Sequence, residues 1–165
     1  MKTALLCLLA LPAFADSAGG IGWTPPATWK TDAARPMRAA TYLVPATKGD
    51  TEGGECGVFY FGQGQGGGVD QNIQRWVGQF EGAKAPTPKK EKLGGFDVTT
   101  VEVEGTFASS MGGPMAPKTP KTGYKLLGAI IEGPSGNVFF KLTGPAKTVE
   151  AARADFMKML KGVTK

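Results

Sequence analysis

Histidine is absent from the 165 residues of this chain. It is the side chain whose ordinary pKa lies nearest to neutral pH, and it is the commonest metal ligand in proteins. Its absence excludes Ser-His and Cys-His nucleophile pairs, histidine general bases and histidine metal sites. An enzyme with this sequence would have to use carboxylates, lysine, tyrosine or cysteine instead.

Cysteine is scarce as well, since Cys7 and Cys56 are the two in the chain. Cys7 lies in a segment that we expect to be removed, so Cys56 would have no partner within its own chain. Cys56 lies in the strand-like run GECGVFYF, which favours a buried free thiol. A disulfide bridge between two molecules is the alternative that stays open.

The sequence lacks an apolar run long enough to cross a bilayer, which takes about 20 residues. Its longest apolar run, at residues 4–11, follows Lys2 and precedes an Ala-Phe-Ala sequence at residues 13–15. This pattern is typical of a cleavable signal peptide. We therefore predict a signal peptide at residues 1–15 and a mature chain that starts at Asp16. The mature chain would have no transmembrane segment and a periplasmic or secreted location.

Strong charge is also missing, because the formal net charge is +5 and the basic residues are spread along the chain. A small cluster at Lys89, Lys90 and Lys92 is typical of a solvated surface. No nucleic-acid-binding motif accompanies it, so we expect no nucleic-acid partner. The length suits one compact domain, which we place at residues 23–165 after a flexible N-terminus at residues 16–22.

Hydrophobic patterns predict five main strands and two amphipathic helices. The strands are predicted at residues 37–44, 57–61, 96–107, 124–132 and 138–143, with a further short strand at 91–93. One helix is predicted at residues 69–80, and another, capped by Thr148, at the end of the chain. In the strand at 96–107 the apolar parity switches near Thr99 and Thr100, which predicts either a β-bulge or a strand covered on both faces. This order predicts an α+β fold in which a largely antiparallel sheet is flanked by helices.

The order β-β-α-β-β-β-α after an extended segment with two tryptophans resembles the PsbP-like fold over about residues 23–162. That fold is an α-β-α sandwich shared by the extrinsic oxygen-evolving protein of photosystem II and a Ran-binding nuclear import factor. The segments FYFGQGQGGGVDQNIQRWVGQF, YKLLGAIIEGP and VFFKLTGPAKTV also resemble a group of uncharacterised exported bacterial proteins. The resemblance includes no catalytic motif, and it implies a binding or accessory role rather than an enzyme.

A glycine-rich loop, GQGQGG at residues 62–67, matches the GxGxxG pattern between a strand and a helix. Backbone amides at a helix N-terminus can hold an anion, which makes Gly64, Gly66 and Gly67 candidate binding residues. Export, the antiparallel order and the lack of an acidic residue about 20 positions later argue against a nucleotide. The alternative is a structural role, in which the glycines let the helix fold back over the sheet.

Three side chains outside this loop are further candidates for ligand or partner binding. Asn72 and Arg75 lie on the polar side of the predicted helix, where Arg75 can bind a carboxylate or form an ordinary surface salt bridge. Trp23 precedes Pro25 and Pro26, and an exposed aromatic-proline edge would suit a partner. The alternative is that its ring, like that of Trp29, covers the open end of the core.

Met111 and Met115 lie in a long Gly/Pro-rich loop at residues 108–122. Thioethers suit Cu(I), but two methionines without histidine do not make a metal site, so we expect no metal and no cofactor. We interpret the loop as a mobile flap or as a source of adaptable apolar contacts to a partner.

Glu102 and Glu104 are two residues apart on one predicted strand, so their side chains point to the same face. A pair of carboxylates can perform glycosidase-like chemistry, and Tyr124 and Lys125 are further possible acid-base groups. No row of aromatic residues for a sugar accompanies the glutamates, and a solvated face is the alternative.

Together these patterns predict an exported, monomeric, non-catalytic domain that contacts a protein or envelope component. The predicted contact regions are the loops at residues 62–68 and 108–122. Two alternatives stay open, namely a periplasmic carrier of a small ligand or ion and a histidine-free enzyme.

Overall fold

A computed structural model describes residues 15–108 and 119–165 of the chain. The strands in these ranges are β1 (Asp16–Ala18), β2 (Ile21–Trp23), β3 (Lys30–Thr31), β4 (Ala40–Val44), β5 (Gly54–Tyr60), β6 (Phe80–Glu81), β7 (Lys89–Leu93), β8 (Phe96–Phe107), β9 (Lys121–Gly133) and β10 (Gly136–Pro145). The helices are α1 (Val69–Val77) and α2 (Ala146–Lys161). Neither helix is long and apolar enough to cross a membrane. The predicted signal peptide lies, apart from its last residue, outside the described ranges and stays a prediction.

One antiparallel sheet contains eight of the strands, while β1 and β2 form a separate hairpin. The sheet order is β3-β4-β5-β10-β9-β8-β6, and β7 pairs with β8 beside β6. β9 and β10, the two most apolar strands, occupy the centre. The predicted α+β class with an antiparallel sheet is confirmed.

Hydrophobic clusters lie on both faces of this sheet because the central strands carry apolar side chains on both parities. α2 covers the cluster that contains Val58, Phe140 and Phe156. α1 covers the opposite cluster, in which Ile73 and Trp76 pack with residues of β8 to β10. The sheet therefore lies between the helices, as predicted.

β8 is the long strand whose apolar parity switches. Its Val98 packs in the α2 cluster, whereas Val101 and Val103 pack in the α1 cluster. The strand is thus covered on both faces, and the register shift lies between Gly105 and Phe107. A bulge near Thr99 and Thr100 was the wrong alternative, because the pairing with β9 is continuous there.

Residues 16–22 are ordered, so the prediction of a flexible segment there is wrong. β1 and β2 pair from Asp16 to Trp23, and Ile21 is fully buried. The Gly22 amide donates to the Thr164 carbonyl at 2.9 Å, and the Thr164 amide returns a bond at 3.0 Å. This short glycine-rich segment is ordered because its backbone is hydrogen-bonded to Thr164, which follows α2. Its composition alone does not indicate this order.

The N-terminus of α2 is capped by a distant residue rather than by Thr148. The Asp50 carboxylate accepts hydrogen bonds from the Thr148 amide at 2.9 Å and from its hydroxyl at 2.6 Å. The helix begins at Ala146, directly after Pro145, so Thr148 is already inside its first turn. The Thr148 hydroxyl instead accepts a bond from the Thr47 amide at 3.1 Å.

Candidate functional site

The glycine loop between β5 and α1 has a backbone that requires glycine. The φ angles are positive at four of its glycines, with values of +100°, +70°, +87° and +81° at Gly62, Gly64, Gly66 and Gly67. Residues with a side chain rarely adopt such φ angles. A Cβ atom on Gly66 would lie 2.7 Å from Cδ2 of Phe61 and 3.0 Å from Cε2 of Phe139. The glycines therefore have a structural function, which is to bring the chain back over the aromatic side chains of the sheet.

Asn72 and Arg75 do come together with this loop. The buried Asn72 amide donates to the carbonyl oxygens of Gly66 and Gly68 at 2.8 and 2.9 Å. Arg75 Nη1 donates to Asn72 Oδ1 at 3.2 Å. The Asn72 side chain thus holds the loop against α1, and the exposed Arg75 supports it from the solvent side.

Trp23 is not an exposed contact, and that prediction is wrong. The side chain is 1% exposed, and its ring packs edge-on against Phe140 with the centroids 5.2 Å apart. Its Nε1 donates to the Tyr42 hydroxyl at 2.7 Å, which in turn donates to Asp16. Trp29 is buried too, so both rings cover the core, which was the alternative interpretation.

Met111 and Met115 lie outside the described residues.

The glutamate pair of β8 is part of an ion-pair network with α2. Lys125 Nζ lies 2.8 Å from Glu102, 3.3 Å from Glu104 and 3.1 Å from Glu150. Arg153 adds contacts of 2.7 Å to both Glu102 and Glu150. β8, β9 and α2 are therefore joined by two cations and three carboxylates.

The pKa values in this network oppose an acid-base role. Partial burial raises the pKa of Glu102, but hydrogen bonds from Lys125 and Arg153 together outweigh it and hold the pKa below its ordinary value. Hydrogen bonds from Arg153 and Lys125 lower the pKa of Glu150 to about 2. A glycosidase needs one carboxyl group whose pKa is raised so that it can donate a proton, whereas the pKa values of Glu102 and Glu150 are lowered.

Within the described ranges, no group of three or more acidic or cysteine side chains is arranged to hold a metal ion.

Cys56 is buried in the centre of β5 as a free thiol. Burial raises the pKa of this thiol, and the Glu55 carboxylate raises it further. The interpretation as a buried strand residue is thereby supported over a bridge between molecules.

A half-buried lysine that the sequence analysis missed lies on the α1 face of β10. Lys141 Nζ donates to Gln79 Oε1 and lies 5.6 Å from the centre of the Phe107 ring. No carboxylate of the described residues is within 4.0 Å of it. Burial, and to a lesser degree repulsion by Arg38, lower the pKa of Lys141 to about 8. A lysine inside the apolar run VFFKL was the signal in the sequence that would have indicated it.

Beside Lys141 lies an arginine cluster anchored on β5. Glu55 binds Arg38 at 2.6 Å through one oxygen and Arg35 at 2.9 Å through the other. Arg35 also binds Asp32 at 2.5 Å. The Arg38 guanidinium lies 5.1 Å from the centre of the Phe59 ring.

Two large apolar side chains are exposed next to this cluster. Met37 is 72% exposed and Leu43 is 39% exposed. Met37 has a φ of +64° in the turn between Arg35 and Arg38. We call these four residues the β4 patch: Arg35, Met37, Arg38 and Leu43.

No protein-family model and no curated protein sequence matches this chain. Solved structures do match it. The solution structure of cyanobacterial PsbP (CyanoP) from Synechocystis sp. PCC 6803 superposes with a TM-score of 0.59 and 9% identity over 97% of this chain and 96% of that chain. The crystal structure of PA94 from Pseudomonas aeruginosa, described as a protein of unknown function and putative regulator, has a TM-score of 0.53 and 11% identity over 90% of this chain and 94% of that chain. At such identities the likeness concerns the fold, and this chain has a PsbP-like fold.

Proposed function

We propose that this protein is an exported, non-catalytic binding domain that contacts a protein or another envelope component through the β4 patch. The observation that carries the proposal is the exposure of Met37 between two arginines that are both anchored on Glu55. Export is supported by the signal-like leader, and an accessory role is supported by the resemblance noted in the sequence.

The physical basis is that of a protein interface. Methionine, arginine and aromatic side chains are enriched at interfaces, and anchored side chains lose little conformational entropy when a partner binds. A methionine with positive φ costs roughly 1 to 3 kcal/mol in backbone strain. The Arg35 and Arg38 ion pairs on either side of the turn offset this cost and hold Met37 outward.

The test is capture from an envelope extract with immobilised protein. We expect saturable retention of a partner by the natural chain and about tenfold weaker retention by Met37→Asp or Leu43→Asp, since each places a charge in the apolar part of the contact. Lys161→Asp, at the far end of α2, is the matched control and should retain the partner fully. Equal retention by all variants, or no saturable retention at all, would contradict the proposal.

Export and oligomeric state need a separate measurement. We expect native mass spectrometry of protein secreted through its own leader to give a monomer whose mass begins at Asp16. An uncleaved mass would refute export, and a dimer that separates on reduction would refute both the monomer and the buried Cys56 thiol.

A further inference from the structure

The polar groups on the α1 face of β5 and β10 carry an uncompensated positive charge. Arg35, Arg38 and Lys141 are three cations, whereas Asp32 and Glu55 are two carboxylates. Both oxygens of Glu55 are occupied by the arginines, and Asp32 binds Arg35. The excess charge is therefore located on Lys141.

The position of Lys141 is unfavourable for a charge without a counter-ion. Among the described residues its ammonium group contacts a neutral amide and an aromatic ring, and the repulsion by Arg38 exceeds the attraction by Glu55. Removing a cation from water without a counter-ion is unfavourable. An anionic ligand at this position would supply the missing counter-ion.

A second unsatisfied group lies on the same strand face. Thr143 follows Lys141 by two residues on β10, so the two side chains leave the sheet on the same side, about 7 Å apart at their Cα atoms. The Thr143 hydroxyl oxygen is buried and has no hydrogen-bond partner. A buried hydroxyl without a partner costs about 1 to 3 kcal/mol, and an acceptor oxygen from a ligand would remove that cost.

The surroundings indicate the kind of anion. The excess of positive over negative charge in this group is one unit. Aromatic rings lie next to the cations, with Phe107 near Lys141 and Phe59 under Arg38. We propose that Lys141, Thr143 and Arg38 form a binding site for a monovalent organic carboxylate with an apolar body. Lys141 and Thr143 donate hydrogen bonds to the carboxylate, Arg38 adds positive potential, and the rings contact the apolar part. This site shares Arg38 with the β4 patch, but Lys141 and Thr143 lie outside that patch, and the carboxylate proposal does not depend on the protein contact proposed above.

The test uses sodium benzoate as the probe and the full mature chain, observed by NMR of the lysine ammonium and threonine methyl groups. We expect saturable shifts at Lys141 and Thr143. Lys141→Met and Thr143→Val should each weaken benzoate binding by about tenfold or more, because each removes one hydrogen bond to a charged group. Lys92→Met, an equal change of charge on the exposed strand β7, should bind benzoate as the natural chain does.

The variants also separate binding from folding. Thr143→Val removes a buried hydroxyl without a partner, and Lys141→Met removes a charge without a counter-ion, so we expect circular dichroism to show folded proteins at least as stable as the natural chain. If Lys141→Met did not fold, Thr143→Val would decide the question alone. The proposal is overturned if benzoate does not saturate, if it binds the variants equally, or if inorganic phosphate binds as tightly as benzoate.

Discussion

Cys56 and Lys141 lie in strands where the loss of water penalises the charged form of each side chain. For the thiol this raises the pKa, and for the amine it lowers the pKa.

The Cys56 thiol should be unreactive while the protein is folded. The thiolate is the nucleophile, and both burial and the raised pKa suppress it. With a disulfide reagent at pH 8 we expect modification on the order of a hundredfold slower than in denaturant, because reaction requires opening of the central sheet. Rapid stoichiometric labelling of the native protein would contradict the buried position of Cys56.

The stability of the protein should depend on the titration of Lys141. Its pKa is about 8 in the folded state against an ordinary value of 10.5, so between these values the unfolded chain binds more protons than the folded chain. The free energy of unfolding contributed by this residue therefore rises with pH across that window and is lost as pH falls through about 8. At about 1.4 kcal/mol per pKa unit, the change is roughly 3 kcal/mol.

Denaturant titrations from pH 7 to pH 10 of the natural chain and of Lys141→Met measure this dependence. The difference in unfolding free energy between the two should grow in favour of the natural chain as pH rises. Cys56 and Tyr42, whose raised pKa values oppose the trend at high pH, are present in both proteins and cancel. Arg38 and Glu55, the charged groups that face Lys141, are likewise unchanged. A constant difference across the range would show that Lys141 titrates normally.

At the scale of the element, the connection between β5 and α1 has glycines with two different constraints. Gly66 combines a positive φ with close contacts to Phe61 and Phe139, whereas Gly64 has a positive φ with no atom within 4 Å of an added Cβ. Gly64→Ala should cost about 1 kcal/mol of stability, from backbone strain alone. Gly66→Ala should cost about 3 kcal/mol, because overpacking of the aromatic side chains is added to the strain. Thermal or denaturant unfolding of both variants measures the difference, and equal losses would mean that the contacts at Gly66 relax freely.

At the scale of the whole molecule, the two hydrophobic layers share one sheet. Ile73 lies in the α1 layer and Phe156 in the α2 layer. Ile73→Ala should cost about 2 to 4 kcal/mol and Phe156→Ala about 3 to 5 kcal/mol. Because strands β9 and β10 belong to both layers, each variant should still unfold in one transition when followed by tryptophan fluorescence and by circular dichroism. Two separated transitions in either variant would show that the layers unfold independently.

Predictions from local pattern succeeded where a side chain's environment depends on its immediate neighbours. The hydrophobic patterns indicated strands at residues 124–132 and 138–143 and an amphipathic helix from residue 69, where the structure has β9, β10 and α1. The predictions failed at residues 16–22 and at Thr148, where ordering comes from Thr164 and Asp50, far away in the sequence. Trp23 was misplaced for the same reason, since its partners Tyr42 and Phe140 come from other strands.

The sequence by itself determined the α+β class, the apolar residues on both parities of the central strands, and the chemistry that a chain without histidine cannot perform. These properties follow from residue type and period, which are local. The tertiary structure decided that Glu102 and Glu104 share Lys125, that Asn72 holds the glycine loop, and that Lys141 lies beside Thr143 and Arg38 without a carboxylate of its own. Such contacts depend on strand register and on how the helices pack. They join residues that are distant in sequence, and only the folded chain brings these residues together.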